Sequence, residues 1–122
     1  MATVLYSKRD RGTSTHIEAK IDYDGNLVIS GNDTGELPRK IWGDDDYEYW
    51  LTIRCKNKEK VLEALIEHCN QVGISMPSLP QNKDEALLTI LKQVYGGHLS
   101  AFEEFHDFLK AKMIPAKFDS YV

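Results

Sequence analysis

Basic charge is in short supply in this chain. Fifteen lysines and arginines stand against nineteen aspartates and glutamates, for a formal net charge of −4. Non-specific binding to nucleic acid rests on basic surface, so this balance argues against a nucleic-acid partner. Cysteine is scarcer still. Cys55 and Cys69 could form one bridge but cannot build a disulfide framework, and two buried free thiols are the expected state. No apolar run approaches the ~18 residues of a membrane span. The opening stretch MATVLYSKRDRG lacks the apolar core of a secretory signal. These absences point to a cytoplasmic protein without a membrane partner.

Motifs that carry chemistry are missing as well. His16, His68, His98 and His106 are scattered, and neither HExxH nor CxxC occurs, so a zinc site is not expected. His68 and Cys69 are neighbours on one helix, and their side chains diverge by about 100°. GxSxG is absent, and Ser30 lies at a strand end without the preceding Gly-x of a nucleophile elbow. Residues 31–35, GNDTG, have no lysine and sit among acids that would repel phosphate. A calcium loop starting at Asp22 fails too, because its sixth position is Leu27 and its twelfth is Asp33. No cofactor is expected. General acid–base chemistry stays open, since a raised carboxylate pKa cannot be read from sequence.

What is present is a run of strand patterns followed by helix patterns. Ile17, Ala19, Ile21 and Tyr23 alternate with His16, Glu18, Lys20 and Asp22, and Asp24-Gly25 follows at once. Asp-Gly between alternating runs signals a two-residue hairpin turn, so residues 16–30 read as a β-hairpin, with Leu27 and Ile29 facing inward on the return strand. Tyr47, Tyr49, Leu51, Ile53 and Cys55 alternate with Glu48, Trp50, Thr52 and Arg54 in the same way. Residues 3–8 make a short first strand. Residues 31–46, broken by Gly31, Gly35, Pro38 and Gly43, read as an ordered loop with one helical turn over 36–41.

After Cys55 the period changes. Val61, Leu62, Leu65, Ile66 and Cys69 share one helix face between Asn57, a plausible N-cap, and Gly73. A connector with Pro77 and Pro80 packs down through Ile74, Met76 and Leu79. A second helix starts at Asn82 with Glu85 three residues on, and a third at Ser100 with Glu103. Phe102, Phe105, Phe108, Leu109 and Met113 form the apolar side of the third, and Phe118 and Tyr121 anchor the tail. Strands first and helices afterwards predict a single α+β domain: a four-stranded antiparallel meander with about three helices on one face.

The working surface is expected before and within the last predicted strand. Residues 22–48 hold eight acids against Arg39 and Lys40, a local charge of about −6 within a chain whose whole charge is −4. Asp33, Glu36, Trp42, Asp44, Asp45, Asp46, Glu48 and Trp50 are the candidate partner-binding residues. Aromatic rings supply contact area, and clustered carboxylates steer a basic protein partner. The runs DGNLVISGNDTG and WGDDDYEYWLTI, a helix, and then IPAKFDSYV resemble small uncharacterised bacterial proteins. The general plan resembles that of immunity proteins, which neutralise partner toxins. This resemblance implies binding rather than catalysis and carries no catalytic motif. Two other readings remain: a small enzyme or ligand-binding domain using these carboxylates with His16 or His106, and a homodimer formed through the outer sheet face around Trp50.

Overall fold

The computed structural model describes residues 1–43 and 45–121. The chain is α+β. Among the described residues five strands, β1 (Ala2–Asp10), β2 (Thr13–Ile21), β3 (Leu27–Gly35), β4 (Asp46–Ile53) and β5 (Lys117–Tyr121), form one antiparallel sheet in chain order. Among the described residues the helices are α1 (Glu36–Trp42), α2 (Lys58–Val72), α3 (Lys83–Tyr95) and α4 (Ala101–Ala111). Among the described residues no helix is long and apolar enough to cross a membrane.

The alternation read from sequence sets the two faces of the sheet. Ile17, Ala19, Leu27, Ile29, Leu51 and Ile53 are fully buried against Val61, Leu65 and Cys69 of α2, Ile90 and Leu91 of α3, and Phe105 and Leu109 of α4. Burying a side chain of that size stabilises by roughly 1.5–3 kcal/mol, and these residues form one continuous core. The connector packs onto it through Ile74, Met76 and Leu79, as expected. Cys69 is a buried free thiol, but Cys55 is exposed, because the strand ends at Ile53 and the chain turns there into a short 3₁₀ segment, Cys55–Asn57.

The turns differ from the expectation in an instructive way. The two-residue hairpin is at Arg11-Gly12, with φ of 50° and 80°, between Asp10 and Thr13. Positive φ at both central residues is what a type I′ turn demands. Asp24-Gly25 instead lies inside a five-residue loop, 22–26. There the Asp22 carboxylate accepts from the backbone N–H groups of Asp24 and Asn26, both at 2.9 Å. That side-chain loop ends β2 at Ile21 and leaves Tyr23 fully exposed rather than on the inner face. Asn82 caps α3 as predicted, its Oδ1 accepting from Glu85 N–H at 3.0 Å. Asn57 and Ser100 make no such cap. Met113, expected on the apolar side of the third helix, lies beyond its end and is exposed.

Two elements enlarge the expected plan. Gly31 to Gly35 continue β3 instead of opening a loop, and α1 follows directly. The start of α1 is held to the β1–β2 turn: Glu36 N–H donates to the Gly12 carbonyl at 3.3 Å and Leu37 N–H to the Thr13 hydroxyl at 3.0 Å. The tail is β5, paired with β4 in the register Trp50↔Asp119 and Leu51↔Phe118.

Candidate functional site

The strand period divides the eight candidate residues between surfaces. Asp33 pairs with Tyr47 on the inner, helix-covered face, and Gly31 pairs with Tyr49 beside it. Asp46, Glu48 and Trp50 alternate with these and lie on the outer face. Glu36 and Trp42 belong to α1 at the end of the sheet, next to Asp45 in the following turn. Asp44 lies outside the described residues. His16 is on the outer face, between Ser7 Oγ at 3.1 Å and Glu18 Oε2 at 3.3 Å, and so is separated from His106 on α4.

The carboxylates ahead of Tyr47 are partly engaged within the chain. Asp45 accepts a two-pronged interaction from Arg39, Nε to Oδ1 at 2.5 Å and Nη2 to Oδ2 at 2.8 Å. The hydrogen bond and charge of Arg39 hold the Asp45 carboxyl below the usual carboxylate range. Asp46 Oδ1 accepts from Asn32 Nδ2 at 2.8 Å. Among the described residues no three His, Cys, Asp or Glu side chains gather in a metal-holding group.

The strongest concave site lies on the inner face. A recess of about 430 Å³ is bounded by Asp33, Tyr47 and Tyr49 from the sheet, Phe118 from β5, and Phe102, Glu103, His106, Asp107 and Lys110 from α4. The α4 residues fall at i, i+1, i+4, i+5 and i+8, one helical stripe beside the core stripe. Aromatic contacts run from Trp42 to Tyr47 (ring centroids 5.0 Å apart), to Tyr49 (5.2 Å) and edge-on to Phe102 (4.7 Å). His106 stacks nearly parallel on Phe118 at 6.0 Å.

The polar groups of the recess are arranged for positive charge. The Tyr49 hydroxyl donates to Asp33 Oδ1 at 3.2 Å. Burial, reinforced by the Asp33 charge, pushes the Tyr49 pKa well above the usual phenol range, so it stays a donor. Burial, with a smaller contribution from Lys110, lowers the His106 pKa against the opposing pull of Asp107. His106 is therefore neutral at pH 7, and among the described residues lining the recess Asp33, Glu103 and Asp107 stand against the cation Lys110. A larger hollow of about 740 Å³ runs between the β1 edge and α3, but its walls include Glu85, Lys92 and no aromatic ring. It offers less to a charged ligand.

Of the candidate binding residues the recess takes in Asp33, and of the alternative reading His106; Tyr47 and Tyr49 read in sequence as inward-facing strand residues, and Glu103, Asp107, Lys110 and Phe118 did not read as a site. The α4 stripe resembles any solvated helix face, and only the return of β5 beside β4 closes the site. Fold and site together define an α+β domain with an acidic, aromatic-walled recess on one face of the sheet and an open surface on the other. Comparison with protein-family models, curated proteins and solved structures gave no match.

Proposed function

We propose that this chain is a small protein-binding domain that captures a basic partner, and that the contact centres on the recess between the sheet and α4. The observation that carries this reading is the combination of Asp33, fixed by Tyr49, with the rings of Tyr47, Phe102 and Phe118 around it and Glu103 and Asp107 at the rim. A cation over an aromatic face gains about 0.5–2 kcal/mol. A hydrogen bond to a charged group contributes about 1.5–3 kcal/mol. A lysine or arginine side chain of a partner satisfies both at once. Trp42, half exposed and stacked on Tyr47, extends the contact toward α1. Glu36, Asp44 and Asp45 supply longer-range attraction, which speeds encounter more than it tightens the complex. Neutralisation of a basic toxin, as the likeness to immunity proteins implies, is the form of capture we favour.

The test is a titration of ¹⁵N-labelled protein with acetylated, amidated tripeptides centred on arginine, lysine or norleucine. Cationic peptides should shift the amides of Tyr49, Phe102 and His106. Asp33→Asn, which keeps an oxygen for the Tyr49 hydroxyl, should reduce the affinity. Equal shifts from norleucine, or none from any peptide at millimolar concentration, would remove this reading.

A second reading, a small ligand-binding domain or enzyme, is favoured by one observation: Asp33 and a neutral His106 line the same concave site. A free organic cation that binds as tightly as the peptides would support it. Chemical change of that cation, lost in His106→Gln, would make it catalytic.

A further inference from the structure

The face of the sheet turned away from the helices has a charge pattern that the recess does not explain. Side chains in a strand alternate between faces, so outward residues of five paired strands form rows across the sheet. One row contains Lys20, Val28, Thr52 and Lys117; the next contains Glu18, Ser30, Trp50 and Asp119. The same two-residue step thus separates a cation from an anion on β2 and again on β5. On β1 the corresponding pair is Ala2 and Val4.

We propose that two copies of the chain associate face to face through this surface. A twofold axis parallel to the sheet and just above its outer face, perpendicular to the strands and between those two rows, maps each row onto the other. Lys20 then meets Glu18 of the second copy, Lys117 meets Asp119, and Trp50 lies against Thr52. Each column contributes two such contacts by symmetry, as a closed dimer requires. Moving the axis one row toward Glu48 sets Trp50 against Glu48, Asp119 against Tyr121 and Glu18 against a neutral or weakly basic His16, so of these two settings the first pairs more opposite charges.

With the axis level with Ala19, residues 2–4 of β1, 17–21 of β2, 27–31 of β3, 49–53 of β4 and 117–119 of β5 lie over the second copy. At about 4.8 Å between strands and about 3.3 Å per residue the overlap is about 330 Å². A standard interface buries about 800 Å² per partner. Val4 and Trp50 supply its apolar area, the remainder is polar, and the overlap is below the standard size, which fits a weak, reversible dimer. The inference is independent of the recess, which lies on the opposite face of the sheet.

Sedimentation velocity on the full chain, from about 10 µM to about 1 mM, tests it. The dimer fraction should grow with concentration and fall with salt. Lys20→Glu and Glu18→Lys should each weaken self-association at least about tenfold, because each sets like charges opposite one another. Mixed in equal amounts, the two variants should associate again, since every β2 contact in the mixed dimer pairs opposite charges. Retained melting temperatures would show that both variants are folded. A wild-type chain monomeric at every concentration overturns the proposal, even if this face binds another protein. So does a dimer indifferent to both substitutions, or a mixture no better associated than its components.

Discussion

Gly31 is the position at which fold and recess depend on the same atoms. It faces Tyr49 across β3 and β4, and the Tyr49 ring lies flat over the bare backbone. A methyl group at Gly31 would overlap Cε2 and Cζ of that ring and stand 2.7 Å from its hydroxyl. The ring cannot tilt freely, because Phe102 meets it edge-on at 4.7 Å and Tyr47 lies 5.2 Å away. Gly31→Ala therefore forces overpacking, which costs up to about 3 kcal/mol. It also breaks the Tyr49–Asp33 hydrogen bond, at about 1 kcal/mol. Alanine in a strand recovers up to about 1 kcal/mol relative to glycine. The net loss is about 3 kcal/mol. At about 2.1 cal/mol/K per residue, the unfolding entropy of 122 residues is about 0.26 kcal/mol/K, so the melting temperature should fall by about 12 °C. Thermal and urea unfolding of wild type, Gly31→Ala, Tyr49→Ala and the double variant give a full cycle. With the ring removed, Gly31→Ala should be neutral or slightly stabilising. The same loss in both backgrounds would refute the steric argument, and a loss below about 0.5 kcal/mol would show that the ring moves aside easily.

Three further outcomes are expected. His106 has a lowered folded pKa, so its contribution is present above the ordinary value of 6.5 and is lost as pH falls through the folded value. Protonation also adds positive charge to the recess, so affinity for a cationic peptide should fall below pH 6.5 in wild type and fall less in His106→Gln, as calorimetry at several pH values would show. Arg11 holds φ of 50° in the β1–β2 turn, where asparagine is more at ease; Arg11→Asn should stabilise by up to about 1 kcal/mol in urea unfolding. Arg39 and Asp45 are both exposed, so Arg39→Ala should leave the melting temperature nearly unchanged while adding net negative charge. If acidic steering matters, that variant should associate faster with a basic partner at low salt in stopped-flow mixing.

The fold was legible wherever period and burial coincide. The alternation of β2 and β4, the helical stripe of α2 and the Asn82 cap all follow from local sequence, and the structure realises them. The turns were less legible because two chemistries compete at Asp24-Gly25. The dipeptide favours a two-residue turn, yet Asp22 two positions earlier captures the backbone N–H groups and lengthens the loop. At Arg11-Gly12 the required positive φ falls on an arginine, for which composition gives no signal. β5 was missed because KFDSY is short and mostly exposed, and it is defined by its partner β4 rather than by its own pattern.

The acidic stretch shows how one-dimensional clustering can mislead. Residues 33 to 50 read as one surface because they are adjacent in sequence, but a strand sends neighbours to opposite faces. Asp33, Tyr47 and Tyr49 consequently join α4 and β5, whereas Glu48 and Trp50 join Glu18 and Asp119 across the open sheet. A substitution confined to one set should leave the other function intact. Asp33→Asn should reduce peptide binding without altering self-association, and Lys20→Glu should do the reverse. If both substitutions moved both readouts, the two faces would be coupled through β3 and β4. The carboxylates would then act as the single surface that the linear sequence suggests.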